Sequence, residues 1–456
     1  MTDRHDVVIV GGGAGGLMAA LEASNAGHSV LLLEAGNRLG GAVQGVSLGG
    51  VTVDVGAESY AITRPDTSAL IEQLGLTHLS VEPRRSDSRL VVPHGTFAMP
   101  HALLGIPTNP LAPEVVAIIG KDAAELAAQL DEQQVPKEWD PALTLGALVR
   151  QRLGDAVADL ITTPVVGGVH ALHPDLAEAE AISPGITSAT VKHGGLANAA
   201  MAMRSASGIP GSAIRGLRGG MSVLASAVIQ SLEASGVDLR TGVTVLNVSQ
   251  SGTQWTVQTT SGVFTADQVV VALDARSAAS VLTAVPEVHE PLSQMYVGDV
   301  IVFAAVISSE LLDQDPLGSG ALIAPSTPGL RAKAITHASS KWGWIRESYG
   351  PGRHMIRLSY GRDGVIQESL NELPDIAHAD LELLLGSSLP VFEDTYVARW
   401  SGSLLHPRVG HRAKVAQLRA AVAGTPGLSV AVSGMAGNGL AGTIGQARAS
   451  IDKVRN

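Results

Sequence analysis

The run Val7-Val8-Ile9-Val10 is followed at once by Gly11-Gly12-Gly13-Ala14-Gly15-Gly16, and a second run, Ser29-Val30-Leu31-Leu32-Leu33, ends at Glu34. The order is a buried strand, a glycine turn, a helix, a second strand and an acid. It commits the N-terminus to a βαβ unit of the dinucleotide-binding kind. Gly11 makes the tight turn, Gly13 lets the backbone approach a pyrophosphate, and Gly16 lets the helix lie close to the strand. The first helical turn offers unpaired N–H groups and a positive dipole end to the phosphates. Glu34 stands where a carboxylate accepts both hydroxyls of a ribose, and it repels a 2′-phosphate, which argues against NADP.

The length of 456 residues allows two or three domains, and 45% hydrophobic with 16% charged residues describes a large packed core. A net charge of −11 leaves no footprint for nucleic acid or an anionic membrane surface, and 3% aromatics leaves little for base stacking. The absence of cysteine removes disulfides, iron–sulfur clusters, thiolate zinc sites and a CxxC redox pair. It is compatible with a reducing cytosol, and the chain is expected to be cytoplasmic. The first apolar run is already the nucleotide strand, so no signal peptide is expected. No unbroken apolar stretch reaches the length of a membrane span.

The spacing predicts a short helix over 68–76, a hairpin over 89–100, and a helical region from about 101 to 210. Within that region 114–130 and 155–166 repeat at helical period, and Asp140-Pro141 reads as a cap with a first-turn proline. A further helix is expected over 215–235. Strands are expected over 243–248, 255–259, 269–273, 297–307, 332–337, 354–360 and 428–432, with a last helix over 440–454. The expected fold class is α/β: a discontinuous Rossmann-like dinucleotide-binding domain, a mixed-sheet substrate domain and an inserted helical domain. The dinucleotide-binding parts are placed at 1–80, 211–280 and 396–456, the substrate domain at 81–100 and 281–395, and the helical insert at 101–210.

Arg38-Leu39-Gly40-Gly41 follows Glu34 closely and offers a second backbone approach to the cofactor, with Arg38 near the pyrophosphate and Gly41 beside it. This arrangement suits a flavin dinucleotide better than NAD. Asp54-Val55-Gly56-Ala57-Glu58-Ser59 supplies small residues that can lie against a flavin, although its two acids read equally well as solvated turn residues. Gly437-Asn438-Gly439-Leu440-Ala441-Gly442 repeats the glycine spacing but leaves no room for a second strand and acid before Asn456. It reads as a strand feeding a helix whose positive end stabilises a reduced flavin ring. Gly45-Val46-Ser47-Leu48-Gly49 matches a nucleophile elbow but sits inside the flavin-type unit. His170 with His173, and His406 with His411, lack an acidic partner at ligand spacing, so they read as structural or surface histidines and no metal is expected.

Together these segments resemble the FAD-dependent protoporphyrinogen/coproporphyrinogen oxidases of the flavin amine oxidase superfamily. The likeness adds Phe97-Ala98-Met99-Pro100, Leu153-Gly154-Asp155, Pro164–Ala171, Leu217–Met221, Arg399-Trp400 and Val409-Gly410-His411. Thr336, Ser339, Lys341 and Trp342 resemble a block of the bacterial coproporphyrinogen type. The resemblance implies six-electron oxidation of coproporphyrinogen III to coproporphyrin III in haem biosynthesis, with FAD as cofactor and O2 reduced to H2O2. It also implies FAD contacts at Gly11, Gly12, Gly13, Ala14, Gly15, Gly16, Glu34, Ala35, Ala42, Gly56, Ala57, Glu58, Ser59, Asn438, Gly439 and Leu440, and at the backbone of Val245.

The sequence departs from the family where Ala42 replaces a frequent aromatic, at His406-Pro407-Arg408, and at Ala431-Val432-Ser433. A tetrapyrrole with four propionates needs cations, and the candidates are Arg84, Arg85, Lys341, Arg399 and Arg408. Each can equally be a surface charge, and no general base stands out. Alternatives are a protoporphyrinogen oxidase, another enzyme of the superfamily, and a catalytically weak porphyrin-binding flavoprotein. The absence of aromatics after Trp400 counts against an amine oxidase. A peripheral membrane contact and a haem-pathway enzyme partner stay open.

Overall fold

The structure, a computed structural model, describes residues 3–84, 87–207 and 214–451. Its first sheet grows from the βαβ unit. Asp3–Val10 lies parallel between Val30–Leu33 and Gly262–Val271, in the register Val7↔Val30 and Val10↔Val271. Asp238–Arg240 adds a parallel strand beyond Val30–Leu33. The far edge of Gly262–Val271 is shared: Gln254–Thr259 pairs antiparallel along its start, and Leu428–Val430 pairs parallel along its end. Val245–Ser251 completes the antiparallel flank. Val8, Val10, Leu31 and Leu33 enter one core, while Val7, Ile9 and Leu32 enter the other with the opening helix Ala14–Asn25. Both faces are covered, so these strands are continuous apolar runs rather than alternating ones.

The second sheet is mixed. Its order is Asp394–His406, Tyr296–Ser308, Arg353–Tyr360, Ala334–His337, Gly320–Ile323, Arg89–Val92 and Gly95–Ala98. Only Gly320–Ile323 with Arg89–Val92 is a parallel pair. The expected hairpin is therefore an edge of this sheet. The strand Asp394–His406 has no counterpart in the sequence reading and runs across the expected boundary at 395.

Several expected helices take a different form. Gly120 at φ 83° divides 114–130 into Pro113–Ile119 and Lys121–Glu132. Asp140 does not cap a helix: its Oδ1 accepts the Ala142 N–H at 2.8 Å in a turn, and Thr144 caps Leu145–Val157 by accepting the Ala147 N–H at 3.1 Å. Residues 155–166 are not one α-helix. Gly154 kinks the chain at φ 83°, a π-helical turn occupies Ala158–Thr162, and Thr163–His170 resumes the α-form. Glycine alone enters such a positive φ without strain. The helix expected over 68–76 is Pro65–Gln73. The helix expected over 215–235 starts at Ser222, because Ile214–Leu217 is a strand bridging Tyr60–Ala61 and Ser80–Val81. The closing helix is Leu440–Ile451, and 452–454 fall outside the described residues.

Candidate active site

The first glycine segment is built as its spacing demands. Gly11 stands at φ 104°, and a Cβ there would lie 2.5 Å from the Ala272 carbonyl oxygen. A Cβ at Gly16 would collide with the Gly11 carbonyl, which is why helix and strand can approach so closely. Gly13 differs: it starts the opening helix at φ −72°, and a Cβ there would meet nothing nearer than Gly41 Cα at 4.0 Å. The space in front of Gly13 is open, and the helix N–H groups without intrahelical partners face that end.

The second glycine segment lies directly on the first. Gly40 N–H donates to the Gly12 carbonyl at 2.8 Å, and Gly41 at φ 55° fits here only because it lacks a Cβ, which would sit 2.9 Å from Gly13 Cα. Glu34 ties the two together: Oε2 accepts Gly12 N–H and Oε1 accepts Gly36 N–H, each at 2.7 Å. Each oxygen keeps a second lone pair for a ribose hydroxyl. Ala35 beside it is exposed. Val243 N–H donates to the Glu34 carbonyl at 2.9 Å, bringing the buried Val245 to the same edge. The Arg38 guanidinium donates to Gly41 O at 2.8 Å and to Gln44 Oε1 at 2.5 Å, so it braces this loop, and burial draws its pKa down.

The third glycine segment meets the exposed Ala42. A Cβ at Gly56 would collide with the Ala42 carbonyl and stand 3.1 Å from Trp400 Cζ2, while Ala57 N–H donates to that carbonyl at 2.9 Å. Trp400 Nε1–H donates to Val55 O at 3.0 Å. Glu58 then turns inward between Lys341 and Arg357; Arg357 Nη1 donates to Oε2 at 2.8 Å and Nη2 to Gly56 O at 2.8 Å. Ser59 next to it is part-buried. Asp54 is 6% exposed and accepts the N–H groups of Met221 at 2.7 Å and Ser222 at 3.2 Å, with burial raising its pKa to about 6.

The C-terminal segment closes on the N-terminal one. Asn438 Nδ2 donates to Leu405 O at 3.0 Å, Gly439 stands at φ 131°, and Leu440 begins the closing helix, which packs along the opening helix. A Cβ at Gly15 would lie 3.4 Å from Thr443 Cγ2. Ala14 and Leu440 line one apolar cavity together with Val43 and Leu224. The two ends of the chain thus meet at two helix N-termini.

The candidate cations fare unequally. Lys341 is paired with Glu58, and Arg399 reaches Asp299 at 3.3 Å from a half-exposed position. Arg84 is also half-exposed and stands 3.6 Å from Asp315. Arg408 lays its guanidinium 4.4 Å over the Tyr296 ring and keeps a buried Nε without a partner. Arg85 lies outside the described residues. Sequence reasoning missed Arg357 and Lys333. Lys333 is 2% exposed, and its one visible signal is a lysine inside the predicted strand 332–337.

The sequence profile of the flavin containing amine oxidoreductases matches residues 14–450. The chain belongs to this family. It is a flavin-dependent oxidoreductase, and the match runs from the opening helix to the closing one. The coproporphyrinogen III oxidase of Mycobacterium leprae (strain TN) is 29% identical over 100% of this chain and 99% of its own length. That of Bacillus subtilis (strain 168) is 27% identical over 98% and 97%. A crystal structure of a proposed protoporphyrinogen oxidase from Exiguobacterium sp. 255-15 superposes with a TM-score of 0.85 at 26% identity, covering 100% and 99% of the two chains. Among the described residues no helix is long and apolar enough to cross a membrane.

Proposed function

We propose that this chain binds FAD and oxidises coproporphyrinogen III to coproporphyrin III in haem biosynthesis, with O2 as the electron acceptor. The observation that carries the reading is end-to-end similarity to coproporphyrinogen III oxidases of several bacteria, which spans the glycine segments and the helical insert alike.

The residues present suit FAD. The open face of Gly13 and the paired helix N-termini accept a pyrophosphate, and Glu34 with the Val245 backbone holds the adenosine half. Gly56, Ala57 and the Asn438–Leu440 turn take the ring end, where the closing helix dipole favours negative charge. FAD supplies the hydride acceptor when bound, and O2 restores it with release of H2O2. The chain's own residues orient the tetrapyrrole, exclude water and neutralise propionates, which are ionised at neutral pH.

Anaerobic addition of coproporphyrinogen III to the purified yellow protein should bleach its visible absorbance, and air should restore it with porphyrin fluorescence and H2O2. A faster reaction with protoporphyrinogen IX would favour the protoporphyrinogen oxidase reading instead. Porphyrin binding with no bleaching would favour a carrier, a reading that the altered His406-Pro407-Arg408 segment keeps in play.

A further inference from the structure

Arg64 stands before Pro65, which holds its backbone extended at φ −119° and ψ 132°. It follows the third glycine segment in the chain, and its side chain reaches the C-terminal one. Nη1 donates to the Ala436 carbonyl at 2.9 Å. The guanidinium lies over the closing helix, where a Cβ at Gly445 would stand 2.9 Å from Arg64 Nη2 and 2.9 Å from Asp66 Oδ2. Asp66 faces Arg64 Nε at 3.7 Å, so the arginine is steadied from the helix it precedes.

The segment it grips has little stiffness of its own. Gly434, Gly437 and Gly439 stand at φ 90°, 99° and 131°, and glycine has more conformational freedom to lose than any other residue. Three ties fix the turn. Gly437 N–H donates to Gly434 O at 3.0 Å, the Asn438 side chain donates to Leu405 O at 3.0 Å, and Arg64 holds Ala436 O. Arg64 and Gly434 thus grip opposite sides of one peptide plane, the one joining Ala436 to Gly437. The next carbonyl, of Gly437, would lie 2.6 Å from a Cβ at Gly442, so the turn is folded onto the start of the closing helix.

This turn presents a set of backbone donors. The first bond into the helix runs from Thr443 N–H to Gly439 O at 3.1 Å. The N–H groups of Gly439, Leu440, Ala441 and Gly442 come before it and have no acceptor within the helix. Thr443 also rests on the opening helix, since a Cβ at Gly15 would lie 3.4 Å from its Cγ2. The four donors therefore open beside the first glycine segment, at the end of the cradle given above to the flavin ring. A reduced flavin ring gains negative charge, and the field of a helix end favours that charge only at short range.

We propose that Arg64 is a positioning residue for the flavin: by holding the Ala436 carbonyl it aims the donors of residues 439–442 at the ring and raises the preference of the site for reduced over oxidised flavin. The inference rests on the FAD reading above and deepens it. Arg448 supplies the contrast. It ties the same helix to Glu22 Oε1 at 3.0 Å and to Asp66 O at 3.1 Å, and neither bond involves the turn.

Dye-coupled reductive titration of the flavin-loaded protein, with FAD affinity measured on the flavin-free protein, tests this. R64M should bind oxidised FAD within about three-fold of wild type, because the pyrophosphate cradle is untouched. Its preference for reduced flavin should fall about three- to ten-fold, which lowers the two-electron midpoint by about 15–30 mV. R64K keeps one donor for Ala436 O and should recover most of the difference. G445A keeps the arginine and its charge but pushes the guanidinium aside, and it should lower the same preference by at least about two-fold. It should fold even if R64M does not, since its methyl group meets the flexible ends of two side chains and alanine suits a helix better than glycine. R448A should lower the urea midpoint and leave the potential at the wild-type value. A wild-type potential in R64M overturns the positioning role, and so does a wild-type potential in G445A, which would leave only the charge of Arg64 at work. A potential in R448A as low as that of R64M also overturns it, because any loosening of the helix would then suffice. Wild-type protein that takes up no FAD overturns the flavin reading and the inference with it.

Discussion

Lys341 Nζ donates to Oε1 of Glu58, and because Arg357 holds the other oxygen at 2.8 Å, one part-buried carboxylate serves two cations beneath the Gly56 turn. Lys341 is therefore committed within the protein. Burial alone would raise the Glu58 pKa, but Lys341 and then Arg357 outweigh it and hold the group at about 2. Glu58→Gln should cost on the order of 3–5 kcal/mol, because it strands two cations in a partly desolvated place. Urea denaturation of the flavin-loaded protein gives the number. The same group sets an acid limit. Its folded pKa lies below the unfolded value of about 4.5, so its contribution is complete above pH 4.5 and disappears as pH falls toward 2.

Asp54 has the opposite sign. Burial raises its pKa to about 6 against two backbone hydrogen bonds that favour the charged form. Stability from this group is full below about pH 3.8 and declines as pH rises through 6, by on the order of 3 kcal/mol. Asp54→Asn keeps an acceptor for the Met221 N–H and removes the titration. The stability profile between pH 4 and 6 should flatten in that variant, which denaturation midpoints across the interval would reveal.

Two glycines only three residues apart should fail in different ways. A Cβ at Gly16 collides with the Gly11 carbonyl, so Gly16→Ala should lower the thermal midpoint even of flavin-free protein. A Cβ at Gly13 meets nothing closer than Gly41 Cα at 4.0 Å, an ordinary contact, and its φ of −72° suits alanine. Gly13→Ala should fold normally without flavin yet bind FAD at least about ten-fold more weakly, because the methyl group occupies the approach to the pyrophosphate. Equal flavin affinity in Gly13→Ala would remove the pyrophosphate from that position.

This contrast also marks what the sequence could convey. Gly11, Gly16 and Glu34 were legible because a βαβ unit works through short, fixed spacings, and the structure seats them against one another as that geometry requires. The pairing of Lys341 with Glu58 spans 283 residues, and no local pattern announces which acid will meet which cation. Lys333 was hidden for another reason. In Arg331-Ala332-Lys333-Ala334 a lysine among small residues reads as a solvent-facing position, and only the folded chain, where Lys333 is buried between Ile323 and Ser359, shows it to be enclosed. The helix break at Gly120 was missed because the apolar period of 114–130 continues through it, while a single positive φ ends the helix regardless.

The remaining candidate cations separate by what their donors already do. Arg399 is 53% exposed at the side chain and its pair with Asp299 is screened by water, so the pair contributes little and the arginine has a partner already. Arg408 is braced over Tyr296, and its buried Nε has no acceptor beside His406. Arg408→Ala should raise KM for coproporphyrinogen III about ten-fold while kcat changes by less than about two-fold, the pattern of lost binding rather than lost chemistry. Arg399→Ala should leave both constants within about two-fold of wild type, as expected for a solvated ion pair. Steady-state fluorimetry on the two variants decides between them: an unchanged KM in Arg408→Ala would free its guanidinium from substrate, and a raised KM in Arg399→Ala would move the anionic edge of the ring toward the outer face of the Asp394–His406 strand.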